Sequence, residues 1–351
     1  MLADVGGANT KAAWLQFEGG EPRGLRTASR PYEIWREKER LPGVLRETLA
    51  AMASEPPQAM ALTMTAELAD VFATKREGVF FVLDSVAAAF PACPVYALSL
   101  AGEFVPLAEA RARPLDFAAA NWLATALFVA QQQPDCLLVD VGSTTTDIIP
   151  ILGGQVAAQG RTDLDRLLAG ELVYTGLLRT HLAAIVQRVP VRGRLCPVSS
   201  EYFAVSGDVH LILGHIGPED YTCPTPDGRP PTVESARARL ARLVCADAEM
   251  SQTPVRGLSA AEIDALAAYV HQQQLRQIED GLLQVIARLT GHRDLPVVAV
   301  GSGAFLAVAA GRCLGLTVLD LQVDWGREGS EVAPCLAAAH LLAEQLGIGS
   351  P

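Results

Sequence analysis

The chain has 351 residues, of which 50% are hydrophobic and 19% charged, and its formal net charge is -11. This length and apolar content predict two domains of ordinary size and exclude an intrinsically disordered protein. Lysine and arginine are thinly spread, so the concentrated basic footprint of a nucleic-acid-binding protein is not expected.

Apolar stretches and cysteines point to a protein of the cytoplasm. The most apolar stretches, such as Ala118–Ala130, are interrupted by polar residues and are too short to span a bilayer. The N-terminus enters a strand directly, without the pattern of a signal peptide. The seven cysteines include no Cys-x-x-Cys pair, which favours free thiols in a reducing compartment. We therefore expect a cytoplasmic location and no membrane partner, and homo-oligomerisation is left open.

A β-meander opens the chain. Strands are predicted at Leu2–Val5 and Lys11–Phe17, with turns at Gly6-Gly7-Ala8-Asn9 and Gly19-Gly20-Glu21-Pro22. The pattern then changes to alternating helices and strands, which implies parallel pairing through right-handed crossovers. In chain order these elements are helix 41–52, strand 59–63, helix 75–89, strand 94–98 and helix 117–131.

The opening pattern then returns, with strand Cys136–Val141, a glycine turn and strand Thr145–Leu152. Such an internal duplication is the main architectural signal in the sequence. A proline-rich section over 189–231, helices at 233–248 and 259–290, and strand Val297–Val300 follow. We predict an N-terminal domain over 1–133 and a C-terminal domain over 134–351, the latter with a helical insertion over 189–290.

The first candidate phosphate loop follows the opening strand and reads Asp4-Val5-Gly6-Gly7-Ala8-Asn9-Thr10-Lys11. Glycines at a hairpin tip let backbone N–H groups approach a phosphate, Asn9 and Thr10 add polar donors, and Lys11 adds a positive charge. Asp4 is placed to hold a hydrated magnesium ion against that phosphate. An ordinary hairpin is the alternative interpretation.

A second loop repeats the first as Asp140-Val141-Gly142-Ser143-Thr144-Thr145-Thr146-Asp147. Asp140 is the second candidate magnesium ligand, and Gly142, Ser143, Thr144 and Thr145 are candidate phosphate-binding residues. One Asp-x-Gly turn is a weak signal, because such turns connect many strands. Two turns at equivalent places of a duplicated unit are more specific.

A third glycine turn, Gly301-Ser302-Gly303, follows the strand Val297–Val300. The helix that it opens offers unpaired N–H groups to an anion or a ribose phosphate. A plain strand-to-helix turn is the alternative. In this order and spacing the three motifs resemble the two phosphate loops and the adenosine motif of the actin/hexokinase/Hsp70 superfamily. The resemblance implies an α/β fold of duplicated ribonuclease H-like, actin-like ATPase domains with a central cleft.

Several segments more narrowly resemble the hydantoinase/oxoprolinase-related proteins of tetrahydromethanopterin-linked one-carbon transfer. They are Asp4–Ala12, Thr63–Asp70, Thr74–Val79, Ala120–Thr125, Tyr174–Thr180 and Asp227–Pro230. This resemblance implies a transferase of methanofuran biosynthesis that joins an aminomethylfuran-methyl diphosphate to the phenol of gamma-glutamyltyramine and releases diphosphate. The implied partners are a small-molecule diphosphate and a phenolic acceptor, with Mg²⁺ as cofactor. ATP or ADP is compatible with the motifs but not required.

Candidate catalytic residues are Lys11, Glu67 and Asp147. Thr63, Thr65 and Glu67 follow a short strand at what is an active-site edge in this fold; a helix cap with Glu67 in its first turn is the equally favoured alternative. Asn121 interrupts a predicted apolar helix and Arg179 ends an apolar run, and a buried polar group of this kind needs either a ligand or a protein partner. We include both among the candidate nucleotide- or substrate-binding residues.

Weaker candidates lie elsewhere. Lys75 and Arg76 could bind phosphate or the glutamate end of the acceptor, although surface charge is the favoured interpretation. Asp208, His210 and His215 share a helix-like stretch, for which a metal site is a minor alternative. Asp208 is also, with Glu201, a spare candidate base. These residues are all read directly from the sequence.

Other uses of the fold stay open. An ATP-dependent small-molecule kinase or ATPase would use the same motifs, but a kinase needs a carboxylate beside the acceptor hydroxyl, which is not the obvious place for Asp147. A nucleotide-driven activator of another enzyme with an iron–sulfur cluster is disfavoured by the scattered cysteines. An actin-like filament is a further alternative without a marked polymer interface.

Overall fold

The computed structural model describes residues 1–18, 21–248, 257–292 and 294–348. The predicted turn residues Gly19 and Gly20, and part of the predicted helical insertion at 249–256, lie outside the described residues. Within the described residues, no helix combines the length and the apolar character needed to cross a membrane.

The strands are β1 (Leu2–Val5), β2 (Asn9–Glu18), β3 (Glu21–Pro31), β4 (Met60–Met64), β5 (Val95–Leu98), β6 (Phe104–Pro106), β7 (Cys136–Val141), β8 (Thr146–Leu152), β9 (Gln155–Val156), β10 (Leu172–Val173), β11 (Arg188–Val191), β12 (Arg194–Pro197), β13 (Val297–Val300) and β14 (Val318–Asp320). The helices are α1 (Ile34–Glu37), α2 (Leu41–Ala50), α3 (Lys75–Ala89), α4 (Leu107–Ala110), α5 (Asn121–Gln132), α6 (Asp163–Leu168), α7 (Leu182–Ile185), α8 (Ser206–Ile212), α9 (Val233–Arg242), α10 (Ala260–Arg288), α11 (Ala304–Cys313), α12 (Gln322–Glu331) and α13 (Ala333–Gln345). The predicted bounds of β1, α3, β7 and β13 are confirmed.

The first sheet has the strand order β3-β2-β1-β4-β5-β6. Strand β1 pairs antiparallel with β2 and parallel with β4, which in turn pairs parallel with β5. Side chains alternate across this sheet: Ala3 and Val5 pack into a core with α2 and α3, whereas Leu2 packs on the opposite face with residues of α5 and α13. Asp4 shares the face of Leu2, so its carboxylate points to the side of α5 and α13.

The second sheet has the order β10-β8-β7-β13-β14, with β9 paired to β8. Strand β7 lies between β8 and β13 as β1 lies between β2 and β4, so the strand order of the first sheet is repeated. The predicted duplication is therefore confirmed, and the fold is α/β with two ribonuclease H-like sheets. Asp140 in β7 occupies the place that Asp4 has in β1.

The described residues form two compact units. One unit contains Met1–Leu138, Ile149–Leu168 and the chain from Asp320 onward; the other contains Val139–Ile148 and Ala169–Leu319. The C-terminal part returns to the first unit because α13 packs against α5, β1, β2 and β4. The units are thus built from non-contiguous segments, whereas the contiguous boundary between residues 133 and 134 stays a prediction.

Candidate active site

The buried carboxylate of Asp4 is the centre of the candidate site in the first unit. Asp4 is 7% exposed and accepts a hydrogen bond of 2.8 Å from the Thr63 hydroxyl, which its neighbour strand β4 brings opposite it. Burial raises the pKa of Asp4, while the hydrogen bonds from Thr63 and Asn121 and the charge of Lys11 oppose that rise. The structure therefore brings Thr63, Asn121 and Lys11 to Asp4, and the binding roles predicted for these residues stay predictions.

Asn121 begins helix α5 and does not interrupt it, which corrects the sequence-based expectation. The preceding segment cannot continue a helix, because Ala119 adopts a positive φ of 49°. The side-chain oxygen of Asn121 accepts a hydrogen bond of 2.8 Å from the backbone N–H of Trp122. The side-chain nitrogen of Asn121 is therefore the atom that donates to the Asp4 carboxylate. The polar residue is thus explained by its position at the helix start.

The first glycine turn is closed by a hydrogen bond of 3.0 Å from the Gly6 N–H to the Asn9 carbonyl. The carbonyls of Gly7 and Ala8 accept from the backbone N–H groups of Ile34 and Tyr32, which anchors the turn to the chain after β3. Lys11 donates to the Glu331 carbonyl at 2.7 Å. Its ammonium group is therefore held at the end of α12 in this conformation, close enough to Asp4 to act on that carboxylate.

The two glycines of this turn differ in the space that a side chain would find. A Cβ at Gly6 would lie 2.6 Å from the Asn9 carbonyl oxygen, whereas a Cβ at Gly7 would meet no atom within 4 Å. We expect Gly6→Ala to destabilise the fold by about 1–3 kcal/mol, because backbone must move. Gly7→Ala is expected to leave the unfolding free energy within about 0.5 kcal/mol of the unsubstituted protein.

Gly7→Ala is nevertheless expected to weaken diphosphate binding about tenfold, since its methyl group covers the tip of the turn. Chemical denaturation and calorimetric titration with inorganic diphosphate measure the two effects. Unchanged diphosphate affinity in Gly7→Ala would remove this turn from the binding site, and a stable Gly6→Ala variant would contradict the steric argument.

Glu67 places a carboxyl group in the interior of the first unit. It lies in a 3-10 helix at Ala66–Leu68, is 1% exposed, and neither carboxyl oxygen has a hydrogen-bond partner among the described residues. Burial raises the pKa of Glu67 to about 7; its own backbone N–H and the charge of Lys75 lower the pKa, and Asp163 and Asp4 raise it. A buried polar group with no partner is costly and marks a candidate functional site.

The surroundings of Glu67 fix its backbone closely. Helix α3 has Gly78 where it passes this segment, and a Cβ there would lie 2.5 Å from the Glu67 carbonyl oxygen. Thr65, just before Glu67, donates its backbone N–H to the Val5 carbonyl at 2.9 Å. The nearby Lys75 forms an ion pair of 2.6 Å with Asp163, so the charge of Lys75 has a protein partner. Arg76 lies over the ring of Phe80 at 5.6 Å.

The second glycine turn repeats the first in local geometry. Gly142 donates its N–H to the Thr145 carbonyl at 2.9 Å, the same three-residue offset as in the first turn. The Ser143 carbonyl accepts from the N–H groups of Leu178 and Arg179 at 3.0 and 2.9 Å. The backbone of Arg179 is therefore beside this turn, and a binding role for its side chain stays a prediction. Asp147 lies in β8, paired with Leu172 of β10.

Asp140 and the third glycine turn are in direct contact. Asp140 is 9% exposed, and a Cβ at Gly301 would lie 2.4 Å from one of its carboxylate oxygens. Gly301 has a φ of 95°, a conformation that side chains rarely adopt, so both sterics and backbone require glycine here. Gly303 donates its N–H to the Val141 carbonyl at 2.8 Å, and Ser302 between the glycines is half-buried.

The donor set around Asp4 is compatible with Mg²⁺. Its charged member is the Asp4 carboxylate, beside the Thr63 hydroxyl that donates to it. The buried hydroxyl of Thr10 is not part of this set, because Thr10 pairs with Val5 and its side chain lies on the opposite face of the sheet. Mg²⁺ prefers one or two carboxylates together with water and substrate phosphates. The residues present therefore fit a hydrated magnesium ion at Asp4.

Asp208 has a structural role, which corrects its candidacy as a base or metal ligand. It is fully buried and accepts from Arg239 at 2.6 and 2.9 Å, from the Tyr221 hydroxyl and from the Val205 N–H. His210 lies on α8 with Asp208, but His215 lies beyond the end of that helix. His271, which the sequence pattern does not connect with these two histidines, joins them from α10.

Comparison with known proteins gives the family. A sequence profile of the hydantoinase/oxoprolinase family matches residues 58–345. The chain is 38% identical over 344 residues to the (4-{4-[2-(gamma-L-glutamylamino)ethyl]phenoxymethyl}furan-2-yl)methanamine synthase of Methanocaldococcus jannaschii, covering 98% of this chain and 97% of that protein. It is 46% identical to the synthase of the same name from Methanococcus vannielii over 34% of this chain and 54% of that protein.

Similar solved structures include an ethanolamine utilization protein from Carboxydothermus hydrogenoformans, at 15% identity and a TM-score of 0.47, with coverage of 97% of this chain and 88% of that one. An archaeal actin homologue is 14% identical with a TM-score of 0.42, over 98% of this chain and 99% of that one. The family profile and the full-length relative together carry the assignment: this chain is a member of the hydantoinase/oxoprolinase family.

Proposed function

We propose that this chain is a transferase of methanofuran biosynthesis that condenses an aminomethylfuran-methyl diphosphate with the phenol of gamma-glutamyltyramine and releases diphosphate. The observation that carries the proposal is the 38% identity to a synthase over 97% of that relative's length. The relative's name describes a product in which a phenoxymethyl group joins a tyramine ring to a furan ring. Forming that aryl ether requires a phenol oxygen and an activated furan methylene.

The bond changes balance without a further reactant. The phenol oxygen attacks the furan methylene, the C–O bond of the ether forms, and the bond between that methylene and the diphosphate oxygen breaks. The phenol proton passes to a base and diphosphate leaves with the electron pair. The furan ring can stabilise positive charge on the methylene, so accurate positioning and a modest base suffice.

Glu67 is the candidate for that base. A general base works best when its pKa lies near the operating pH, and burial raises the pKa of Glu67 to about 7. Its two buried carboxyl oxygens have no hydrogen-bond partner among the described residues, so a phenolic O–H brought against them would find an unoccupied acceptor. Asp147, the other carboxylate among the sequence candidates, is half-buried in β8 and remains a secondary candidate.

Charge develops on the leaving diphosphate, so donors aimed at its oxygens lower the barrier. The first glycine turn offers such donors through its backbone, Asn9 and Lys11, whereas the hydroxyl of Thr10 is buried. Ser143, Thr144 and Thr145 are the equivalent residues of the second turn, considered within its own unit. When bound, Mg²⁺ would neutralise part of the diphosphate charge. Asp4 would hold the hydrated ion, with Asp140 as the equivalent carboxylate of the second unit.

The experiment that tests the function is a coupling assay with purified protein, Mg²⁺, the aminomethylfuran-methyl diphosphate and gamma-glutamyltyramine, without ATP. Ether product is followed by mass spectrometry and diphosphate by an enzymatic assay. An acceptor that lacks the phenol oxygen is the matched control and should give no ether. Equal amounts of ether and diphosphate are the expected result.

Absence of ether, with ATP consumed in a parallel screen of small-molecule acceptors, would overturn the proposal. It would move the chain to the ATP-dependent kinases or ATPases that use the same three glycine motifs. Ether that forms only when ATP is supplied would also contradict the proposed reaction, because the leaving diphosphate already provides the driving force.

A further inference from the structure

Three histidines of the second unit gather around one point away from the glycine turns. His210 lies on α8, His215 in the turn after it and His271 on α10, and one ligand atom of each lies within 4.8 Å of the others. The Nδ1 atoms of His210 and His215 are 3.1 Å apart. Nitrogens bound tetrahedrally to zinc at about 2.0–2.1 Å are separated by about 3.3 Å, so this pair already has nearly the required spacing.

We propose that His210, His215 and His271 form a three-imidazole site for a divalent transition-metal ion of the Zn²⁺ type. The donor set contains nitrogen alone, which favours Zn²⁺, Co²⁺ or Ni²⁺ over the hard ion Mg²⁺. The nearby carboxylate of Asp208 is occupied by Arg239 and Tyr221 and is not part of the set. The site is therefore distinct in chemistry and in place from the magnesium site proposed at Asp4.

The ring of His210 is oriented by a defined outer partner. Its Nε2 lies 3.0 Å from the Gln274 carbonyl oxygen. The Gln274 amide nitrogen donates to the Gly176 carbonyl at 2.8 Å and to the Thr175 hydroxyl at 3.2 Å, which fixes which end of the amide faces the histidine. His210 must then carry its proton on Nε2 and present the Nδ1 lone pair. Metal-binding histidines are oriented in this way by partners on the other ring nitrogen.

The burial pattern gives the site a closed side and an open side. His210 is fully buried, His271 is half-buried and His215 is exposed, so an ion can enter past His215. The ring of Phe305 packs against His210 and His215 at 5.3 and 5.0 Å and forms an apolar wall. Among the described residues the buried Nδ1 of His271 has no hydrogen-bond partner. Coordination would give the Nδ1 of His271 a partner, and it would replace the hydrogen bond of 3.1 Å between the Nδ1 atoms of His210 and His215.

The site is connected to two of the glycine turns. Gly176, which accepts from Gln274, lies against the second turn so closely that a Cβ there would be 2.5 Å from the Thr144 nitrogen. Phe305 is the second residue of α11, the helix that follows Gly301–Gly303. An ion at the three histidines would thus order Gln274 and Phe305 and, through them, both turns. We expect the ion to stabilise this unit.

The test is metal binding by tag-free protein treated with a chelator and then titrated with Co²⁺. The expected result is one Co²⁺ per chain with the visible absorption of a nitrogen-coordinated site, displaced by Zn²⁺ but not by Mg²⁺. Zn²⁺ should also raise the melting temperature. His215→Gln, at an exposed position that the fold tolerates, should weaken affinity at least about 100-fold, and Gln274→Leu about 10–100-fold.

His292→Gln is the matched control, because His292 is an exposed histidine outside the cluster. It should bind the ion as the unsubstituted protein does. Absence of stoichiometric binding, or equal affinity in His215→Gln and His292→Gln, would overturn the site. Binding is measured without substrates, so the result does not depend on the proposed transferase activity.

Discussion

Asp4→Asn is expected to lower turnover in the coupling assay by at least about 10²–10³-fold, the loss seen when one preorganised charge-stabilising group is removed. The substitution keeps the shape of the side chain and its acceptor for the Thr63 hydroxyl at 2.8 Å. It removes the negative charge that would hold Mg²⁺ against the diphosphate. The Mg²⁺ concentration needed for half-maximal rate should rise in parallel.

The fold should survive this substitution. Burial raises the pKa of Asp4, which means that the folded state pays for the buried charge, and a neutral amide removes that cost. Thermal unfolding should therefore show equal or greater stability for Asp4→Asn. Asp84→Asn, at an exposed aspartate of the same unit, is the control for loss of a carboxylate and should keep full turnover.

For Asp140→Asn in the second unit we also expect lower turnover and an intact fold. Gly301 lies against the Asp140 carboxylate, and an Asn amide of nearly the same size fits the same space. Full activity in both Asp4→Asn and Asp140→Asn would exclude the metal role proposed for the two strands.

Periodicity and glycine spacing were enough to predict the duplicated sheets. The repeat of Asp-x-Gly at the ends of two apolar strands corresponds to two turns with the same hydrogen bond, Gly6 to Asn9 and Gly142 to Thr145. This part was predictable because each turn is a local structure, determined by a few consecutive residues.

Other features depend on partners that are distant in sequence and could not be predicted. The environment of Glu67 is created by burial and by the close approach of Gly78 in the next helix. Neither can be predicted from the short sequence around Glu67. The ion pair of Asp208 with Arg239 and the approach of His271 to His210 join residues more than thirty positions apart along α8, α9 and α10. The β11–β12 hairpin turns at Arg192 and Gly193, which have positive φ values of 48° and 73°; the glycine is its local signal in the sequence.

Glu67→Gln is expected to separate activity from stability. If Glu67 accepts the phenol proton, the amide should lower kcat/KM by about 10²–10⁴-fold, the usual contribution of a general base. In the unsubstituted protein, kcat/KM should rise with pH and level off above about pH 7, where the Glu67 carboxylate is deprotonated. The residual activity of Glu67→Gln should lack this step. Rate profiles between pH 5 and pH 9 measure both expectations.

The stability of Glu67→Gln should rise, whereas its activity should fall. The pKa of Glu67 is about 7 in the folded protein and 4.5 for an ordinary glutamate, so below pH 4.5 the carboxyl is protonated in both the folded and the unfolded state. As the pH rises towards 7 the unfolded chain loses its proton more readily, and the folded state is destabilised by up to about 3 kcal/mol. Glu67→Gln removes that cost, so its advantage should grow from pH 5 to pH 7 and then remain constant.

Glu103→Gln is the matched control, because Glu103 is an exposed glutamate of the same unit. It should change neither the rate profile nor the pH dependence of stability. A Glu67→Gln variant that gains stability but keeps its activity would show that the buried carboxyl is a structural feature and would move the search for the base to Asp147. If Glu67→Gln loses activity while gaining stability, the Glu67 carboxyl lowers the stability of the unsubstituted protein and is needed for turnover. This is the behaviour of a carboxyl retained for chemistry.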